Sequence, residues 1–138
     1  MPHFTTTRRI EFCETDMAGI VHFANYYRYM EQAEHELFRS LGLKIAGKTV
    51  EGIDVGWPRV AAKCEYRAPA RYDDVITIDL TIVKQSTRSL TIEYQFSREG
   101  QPLAKGEMTT VCCTMQGGTM KAIEIPPSYV AGLASLTS

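Results

Sequence analysis

The chain has 138 residues, enough for one domain that buries about two thirds of its unfolded surface, and we take residues 1–138 as a single domain. Its 15 Lys and Arg residues nearly balance its 16 Asp and Glu residues, and no basic run marks a nucleic-acid partner. No apolar run is long enough to span a bilayer, and residues 1–12 lack the apolar core of a secretory signal. We therefore expect a cytoplasmic protein without membrane insertion.

The cysteines and histidines show no metal-ligand spacing. They are Cys13, Cys64, Cys112 and Cys113, and His3, His22 and His35. No two cysteines form a CxxC pair, and adjacent residues in a strand point to opposite faces. The pattern indicates buried thiols in a reducing compartment, and it predicts neither disulfides nor a metal site.

The first predicted elements are a strand over residues 5–13 and, after Gly19, an amphipathic helix. We expect the helix to begin between Val21 and Asn25, because apolar residues then recur at steps of three and four. The apolar set is Tyr26, Met30, Ala33, Leu37 and Leu41, and charged residues at other positions are Arg28, Glu31, Glu34, Glu36 and Arg39. Gly42 is expected to end the helix in a Schellman motif, with Leu43 folding back on Phe38.

The rest of the chain is predicted to be mostly strand. Apolar residues alternate in 59–66, 75–83 and 88–96, as is typical of half-buried antiparallel strands. In the first of these, the shared face is Val60, Ala62, Cys64 and Tyr66. Turn residues separate the strands at "APARYDD", "KQSTRS" and "REGQP", and a further strand is predicted over 103–116. We expect "MKAIEIPPSYVAGLAS", after the glycines of "QGGT", to be a short tail packed on the outside.

The order of these elements predicts an α+β architecture, with a five-stranded antiparallel sheet wrapped around one long central helix. An open sheet leaves the backbone groups of its two edge strands unpaired, and joining two copies edge to edge would cover one such edge. We therefore predict a homodimer at least.

The most specific motif lies in "RIEFCETDMAGIVHFANYYRYME" at 9–31, where an aspartate is followed by A-G-I-V and then by aromatic residues and N-Y. With "ARYDDVITI" and "KAIEIPPSYV" downstream, it resembles the hotdog-fold thioesterases of the 4-hydroxybenzoyl-CoA thioesterase type. This group includes the Tol-Pal-associated acyl-CoA thioesterases and the dihydroxynaphthoyl-CoA thioesterases. The resemblance covers nearly the whole chain. It implies a hotdog acyl-CoA thioesterase that assembles as a dimer and then a homotetramer, with active sites built from two subunits, and with coenzyme A as part of the substrate and no other cofactor.

Thioester hydrolysis needs few catalytic groups, because a thiol with a pKa of about 8.5 leaves as thiolate without a strong acid. The site must polarise the carbonyl and supply a nucleophile or a base. By the resemblance, Asp16 is the catalytic carboxylate, which either attacks the carbonyl or activates water. The resemblance also assigns the polarising backbone N–H to Phe23 at the positive helix end, and Gly19 lets the backbone approach the substrate. The alternative is that Asp16 only hydrogen-bonds its own turn.

Four further residues are expected at the acyl pocket. His22 stands where relatives usually carry Tyr or Trp, and it would either orient water or a polar acyl group, or only line the pocket or pack on the partner subunit. Glu31 aligns with an acidic pocket position of the hydroxybenzoyl enzymes, and a solvated helix carboxylate is the alternative. Trp57 falls where that branch has a small hydroxyl residue. Together with Tyr26 it is expected to shape the pocket, so 4-hydroxybenzoate is not carried over as the acyl group.

Two basic residues are expected to bind the phosphates of CoA. The resemblance assigns this role to Arg88, in the hairpin between the third and fourth predicted strands, and to Lys121, just before the I-E-x-P segment. Ser86 stands where the hydroxybenzoyl type has a further hairpin arginine, so fewer basic residues are expected to contact the phosphates. Exposed Arg and Lys side chains at turns are often only solvated charges, and that is the alternative here.

Two other functions are compatible with a hotdog fold. An enoyl-CoA hydratase-like enzyme would pair an acid with a histidine, but the spacing from Asp16 to His22 is longer than the D-x4-H of that motif. A non-catalytic acyl-CoA-binding or protein-binding module is the other alternative, and the retained Asp16 argues against it. The prediction is therefore an enzyme that hydrolyses an acyl-CoA to free acid and CoA.

Overall fold

The structure is a computed structural model that describes residues 1–137. In chain order its strands and α-helices are β1 (His3–Arg9), α1 (Asn25–Ser40), β2 (Gly47–Lys48), β3 (Asp54–Gly56), β4 (Arg59–Tyr66), β5 (Val75–Gln85), β6 (Ser89–Arg98), β7 (Gln101–Val111), β8 (Cys113–Gln116), β9 (Thr119–Ala122) and α2 (Pro127–Ala134). A single turn of 3-10 helix spans Phe12–Glu14. Within the described range, neither α-helix is long and apolar enough to cross a membrane.

Five strands form an antiparallel sheet in the order β1-β5-β6-β7-β4. Alternate residues of each central strand supply its inner face. In β5, for example, Ile76, Ile78 and Leu80 are at most 1% exposed, whereas the residues between them are partly exposed. The alternate apolar residues from which these strands are predicted are therefore the residues whose side chains are buried in the core. The α+β class predicted from the sequence is confirmed.

Helix α1 lies against this inner face. Its buried residues are Tyr26, Tyr29, Met30, Ala33, Glu34, Leu37 and Phe38. Both edge strands of the sheet reach the helix, because Arg8 of β1 hydrogen-bonds Glu36 at 3.4 Å and Arg59 of β4 hydrogen-bonds Glu34 at 2.6 Å. A sheet whose two edges contact one helix must curve around it. Glu34 departs from the prediction. The sequence pattern places it outside the apolar face of the helix, but it is buried, with only 2% of its surface exposed.

The helix ends as predicted, in a Schellman motif. Gly42 has a φ of 70°, which is the left-handed conformation. The N–H of Leu43 donates to the Phe38 carbonyl at 2.9 Å, and the N–H of Gly42 donates to the Arg39 carbonyl at 3.0 Å. These two bonds satisfy carbonyls that the helix leaves without partners at its C-terminus.

The structure corrects the predicted number of elements, since it has two sheets and two helices. The second sheet is antiparallel, in the order β2-β3-β8-β9. The predicted strand 103–116 is divided at the fully buried Cys112 into β7 and β8, which belong to different sheets. The predicted outer tail forms β9 and α2, and Tyr129 and Leu133 of α2 are buried in the core. The first strand ends at Arg9 because the 3-10 turn interrupts the predicted continuation to residue 13.

Strand β4 lies at one edge of the five-stranded sheet, and within residues 1–137 it has only β7 as a partner. The predicted half-buried face of this strand is correct only for Cys64 in the single chain. Val60 is 63% exposed, Tyr66 is 45% exposed, and Ala62 is exposed as well. The free edge of the sheet therefore also carries exposed apolar side chains.

Candidate functional site

A tight turn before α1 holds Asp16 at the surface. Thr15 and Val21 form an isolated antiparallel bridge across its base. Inside the turn, the N–H of Asp16 donates to the Ile20 carbonyl and the N–H of Gly19 donates to the Asp16 carbonyl, each at 2.9 Å. Gly19 has a φ of 78°, and a Cβ there would meet no atom within 4 Å. Glycine is thus favoured by the backbone conformation and not by lack of space.

The Asp16 carboxylate is exposed and makes one hydrogen bond within this turn. Its Oδ1 accepts the N–H of Ala18 at 2.9 Å. The interpretation that Asp16 stabilises its own turn therefore has a physical basis. The same bond orients the carboxylate, and within residues 1–137 it leaves Oδ2 without a donor. One carboxylate oxygen is available to a ligand.

The segment between the turn and α1 carries an unpaired backbone N–H. Helix α1 begins at Asn25, and Phe23 lies two residues before it. Among the described residues, the N–H of Phe23 finds no acceptor, whereas its carbonyl accepts the N–H of Tyr26 at 3.3 Å and the hydroxyl of Tyr66 at 3.0 Å. The N-cap residue, Ala24, has no capping side chain. The positive end of the helix dipole is therefore not neutralised by a capping oxygen.

Asp16 and Phe23 lie on the wall of one open cavity of about 520 Å³. The rest of the wall is largely apolar and comes from Ile20, Val21, Tyr26, Tyr66 and the segment 67–70. The turn is tied to that segment, because the N–H of Val21 donates to the carbonyl of Ala70 at 2.8 Å. A free carboxylate oxygen and a residue with a free N–H thus border the same apolar space.

Two tyrosines border the cavity, one from α1 and one from the end of β4. The rings of Tyr26 and Tyr66 meet edge to face, with centroids 5.3 Å apart. Burial raises the pKa of Tyr26 to about 12. Burial also raises the pKa of Tyr66, the hydroxyl that donates to the Phe23 carbonyl. Both hydroxyls therefore keep their protons near neutral pH, and that of Tyr66 acts as a hydrogen-bond donor.

His22 is exposed and lies beside the cavity, outside its lining. Its ring stacks on the ring of Phe23, with centroids 4.6 Å apart. Its Nδ1 accepts the N–H of Ala24 at 3.2 Å, so the neutral ring carries its proton on Nε2. In this chain the imidazole thus supports the segment just before α1.

Trp57 lies in the core and does not border the cavity that contains Asp16. It is 5% exposed, and its ring centroid lies 5.6 Å from that of Phe38 and 5.8 Å from that of Tyr129. Its buried Nε1–H finds no hydrogen-bond acceptor in the described part of the chain.

Glu31 belongs to a charged cluster between α1 and β4, and it is also outside the cavity lining. The guanidinium of Arg59 lies 2.6 Å from the carboxylate of Glu34 and 3.6 Å from that of Glu31. Nε2 of His35 lies 3.8 Å from Glu34. Burial raises the pKa of Glu34 to about 7, although the charge of Arg59 opposes this rise. The cluster attaches α1 to the edge strand β4, and the buried carboxylate of Glu34 loses favourable hydration in return.

Arg88 and Lys121 are exposed and are not part of the cavity lining, and the segments that carry them are both hydrogen-bonded to the backbone of Cys112. Arg88 is in the turn between β5 and β6, and its carbonyl accepts the N–H of Cys112 at 2.8 Å. Lys121 is in β9, and the N–H of Ile123, two residues further along, donates to the carbonyl of Cys112 at 2.9 Å. Neither basic side chain forms an ion pair with a residue in the range 1–137.

Sequence reasoning does not identify Tyr66, Arg67 or the segment Ala68–Ala70 as part of this site. In the sequence pattern, Tyr66 is the last alternating residue of a strand, and the residues after it are a break between strands. The only local signal is a hydroxyl and a guanidinium next to a proline-containing loop. That signal is common at strand ends, so it does not point to a site without the tertiary structure.

Comparisons with known proteins agree with the resemblance seen in the sequence. Residues 10–133 match the sequence model of the "Thioesterase-like superfamily". The chain is 34% identical over 133 residues to the 4-hydroxybenzoyl-CoA thioesterase of Pseudomonas sp. (strain CBS-3), covering 91% of this chain and 94% of that protein. The structure of a 1,4-dihydroxy-2-naphthoyl-CoA thioesterase from Synechocystis aligns with a TM-score of 0.85 at 25% identity, covering 97% of both chains. An Asp-to-Asn mutant of a 4-hydroxybenzoyl-CoA thioesterase, complexed with 4-hydroxybenzoyl-CoA, aligns with a TM-score of 0.88 at 29% identity, covering 96% of this chain and 99% of that chain.

Proposed function

Because the chain belongs to the thioesterase-like superfamily and is a hydrolase of acyl-CoA thioesters, we propose that Asp16 and the backbone N–H of Phe23 carry out the reaction. One observation supports this most directly. A carboxylate oxygen and a backbone N–H, both without partners in the described residues, belong to two residues that line the same cavity.

In the proposed reaction, the N–H of Phe23 donates to the thioester carbonyl oxygen and stabilises the negative charge that develops on it. The helix dipole behind this N–H has the sign that favours the same charge. Asp16 then acts in one of two ways. It attacks the carbonyl carbon, expels the CoA thiolate and forms an anhydride that water hydrolyses. Alternatively, it takes a proton from a water molecule whose oxygen attacks the carbonyl carbon, and the C–S bond then breaks to release the CoA thiolate and the free acid.

Replacing Asp16 by Asn tests the carboxylate. Asn keeps an oxygen for the N–H of Ala18 and so preserves the turn, but it has neither the charge nor the basicity. We expect kcat to fall by about a hundredfold or more, measured as free CoA released and detected with a thiol reagent. Asp54→Asn is the matched control, because Asp54 is an exposed aspartate of β3 outside the cavity. Turnover of Asp16→Asn within about twofold of the wild type, with intact folding, would refute the assignment.

Rapid-quench mass spectrometry distinguishes the two roles of Asp16. A nucleophilic carboxylate predicts a transient mass increase equal to the acyl group on the peptide that contains Asp16. A general base predicts no covalent species at any time point, together with release of acid and CoA in a single step.

We also propose that two copies of the chain pair through the free edge of β4, and that dimers assemble further into a tetramer. Support comes from the exposed apolar residues on this edge strand and from the unpaired backbone beside them. Val60→Asp adds a charge to this edge, and we expect it to shift the particle mass measured by light scattering toward the monomer. Val50→Asp, at another exposed valine outside the strands, should leave the mass unchanged. A monomeric wild type would contradict the proposal.

Arg88 and Lys121 are proposed to bind the phosphates of CoA, from the same chain or from the partner subunit. Their exposure, and their lack of ion-pair partners within residues 1–137, leave both charges available. The double variant Arg88→Ala with Lys121→Ala should raise KM for acyl-CoA and leave hydrolysis of a truncated N-acetylcysteamine thioester nearly unchanged. Lys48→Ala, which removes an exposed charge from β2, is the control. Equal effects on both substrates would refute a role in phosphate binding.

The acyl group is proposed to be aromatic. Three rings, those of Phe23, Tyr26 and Tyr66, border the cavity, and the relatives named above act on aromatic acyl-CoA esters. His22, Glu31 and Trp57 are proposed to modulate this choice from around the cavity or from the partner subunit. A panel of 4-hydroxybenzoyl-CoA, benzoyl-CoA, butyryl-CoA and palmitoyl-CoA tests it. The highest kcat/KM for an aliphatic member would contradict it.

A further inference from the structure

Phe23 is held by its carbonyl while its N–H stays free. The carbonyl accepts two hydrogen bonds, from the N–H of Tyr26 at 3.3 Å and from the hydroxyl of Tyr66 at 3.0 Å. The first of these is long, and it comes from the start of α1 itself. The bond from Tyr66 is shorter and comes from a strand 43 residues further along the chain.

The remaining bonds of this segment are made to residues close in sequence. The N–H of His22 and the side-chain amide of Asn25 both donate to the carbonyl of Glu14, at 2.9 and 2.7 Å. The N–H of Ala24 donates to the ring of His22 at 3.2 Å. Among the side-chain hydrogen bonds of residues 22–25, the bond from Tyr66 is therefore the one that fixes this segment to the five-stranded sheet.

Tyr66 is well placed to act as such an anchor. It is the last residue of β4 and lies opposite Ala104 of β7 in the sheet register. Its ring rests edge to face on Tyr26, which restricts where the hydroxyl can go. Because burial raises the pKa of Tyr66, this hydroxyl stays a donor through the neutral and mildly alkaline range.

We propose that Tyr66 is a positioning residue, whose hydroxyl holds the Phe23 carbonyl so that the N–H of Phe23 stays directed at the thioester oxygen. The inference rests on the proposed polarising role of that N–H. A donor that is rigidly placed stabilises the transition state without reorganising, and a donor on a loosened segment does not. Tyr66 itself touches no reacting atom in this scheme.

Tyr66→Phe removes the hydroxyl and keeps the ring that packs on Tyr26. We expect kcat to fall about tenfold, less than for loss of an oxyanion donor itself, with KM within about twofold of the wild type. Tyr72→Phe is the matched control, since Tyr72 is exposed, packs on Phe12 and lies outside the cavity lining. An unchanged kcat, or a rise in KM that accounts for the whole loss, would overturn the inference.

A spectroscopic measurement separates positioning from a general loss of structure. The panel member that the wild type hydrolyses fastest is labelled with ¹³C at its carbonyl and bound to Asp16→Asn, in which hydrolysis is slow. Isotope-edited infrared spectra report how strongly the bound carbonyl is polarised. Adding Tyr66→Phe should reduce the shift of the carbonyl band to lower frequency. An identical band position in the two proteins would refute the positioning role. Rapid hydrolysis by Asp16→Asn would instead refute the role of Asp16 and leave the kcat test of Tyr66 standing.

Discussion

Glu34 should make the stability of this protein fall as the pH rises from about 4.5 to about 7. It is 2% exposed, and burial raises its pKa from 4.5 to about 7, even though Arg59 lies 2.6 Å away and opposes the rise. Between these two values the folded protein binds a proton that the unfolded chain has lost. The contribution of this proton to stability is therefore fully present below about pH 4.5 and is lost as the pH rises through about 7. At about 1.4 kcal/mol for each pH unit, the loss is about 3 kcal/mol.

The substitution Glu34→Gln isolates this contribution. Gln has nearly the shape of the protonated carboxyl and does not titrate, so the variant should match the wild type near about pH 4 and exceed its stability by up to about 3 kcal/mol near about pH 8. Arg59 keeps Glu31 at 3.6 Å and is partly exposed to solvent, so its charge is not left buried and alone. Because burial lowers the pKa of His35, this residue contributes a slope of the opposite sign in both proteins.

Urea unfolding at several pH values measures this difference, with the protein concentration held constant because an oligomer gains stability by mass action. Glu124→Gln, at an exposed carboxylate, should reproduce the wild-type curve. If the free energies of unfolding of the wild type and Glu34→Gln differ by a constant amount from about pH 5 to about pH 8, desolvation does not raise the pKa of Glu34. If the variant is instead the less stable protein at the alkaline end, attraction to Arg59 outweighs desolvation.

Three further substitutions test packing, the helix end and the wall of the cavity. Gly106→Ala would bring a Cβ on β7 into overlap with Sδ of Met30, so we expect a loss of about 1–3 kcal/mol in urea unfolding. Gly42→Ala places a side chain at a φ of 70°, where the cost is about 1–2 kcal/mol, although the added Cβ would touch nothing. Arg98→Met removes the bonds from Arg98 to Asp74 at 2.6 Å and to the carbonyl of Pro69 at 3.2 Å. Since Pro69 lines the cavity, KM for acyl-CoA should rise at the same time as stability falls.

Gly56→Ala is a control for the two glycine variants, because a Cβ there meets no atom within 4 Å and φ is not in the left-handed range. It should leave the free energy of unfolding within about 0.5 kcal/mol of the wild type. A neutral Gly106→Ala would mean that Met30 moves aside without cost. An unchanged KM in Arg98→Met would mean that the loop after β4 keeps its position without this arginine.

Local patterns in the sequence predict the elements that are long and regular. β4 is predicted with its observed bounds, 59–66, and α1 with its apolar stripe and the glycine that ends it. These features depend on residues only a few positions apart, which the regular backbone of a strand or helix brings onto one face. β2 and β3 contain only two and three residues, too few to display a period, and the division at Cys112 leaves no mark in an otherwise continuous strand pattern.

Asp16, Gly19 and Phe23 are near one another in the chain, so the resemblance of this one segment, joined to the downstream matches, is sufficient to propose them as a group. Tyr66 joins the site only because β4 runs beside the start of α1, a contact between residues 43 apart in the sequence. Glu34 stands at a helix position that the pattern assigns to solvent, and the curved sheet buries it against Arg59. The sequence by itself thus determined the class of fold, because that depends on local spacing, and its resemblance to a thioesterase family supplied the proposed catalytic motif. The tertiary structure alone decided which distant side chains contact this segment and which charge is buried, because both depend on how the sheet packs around the helix.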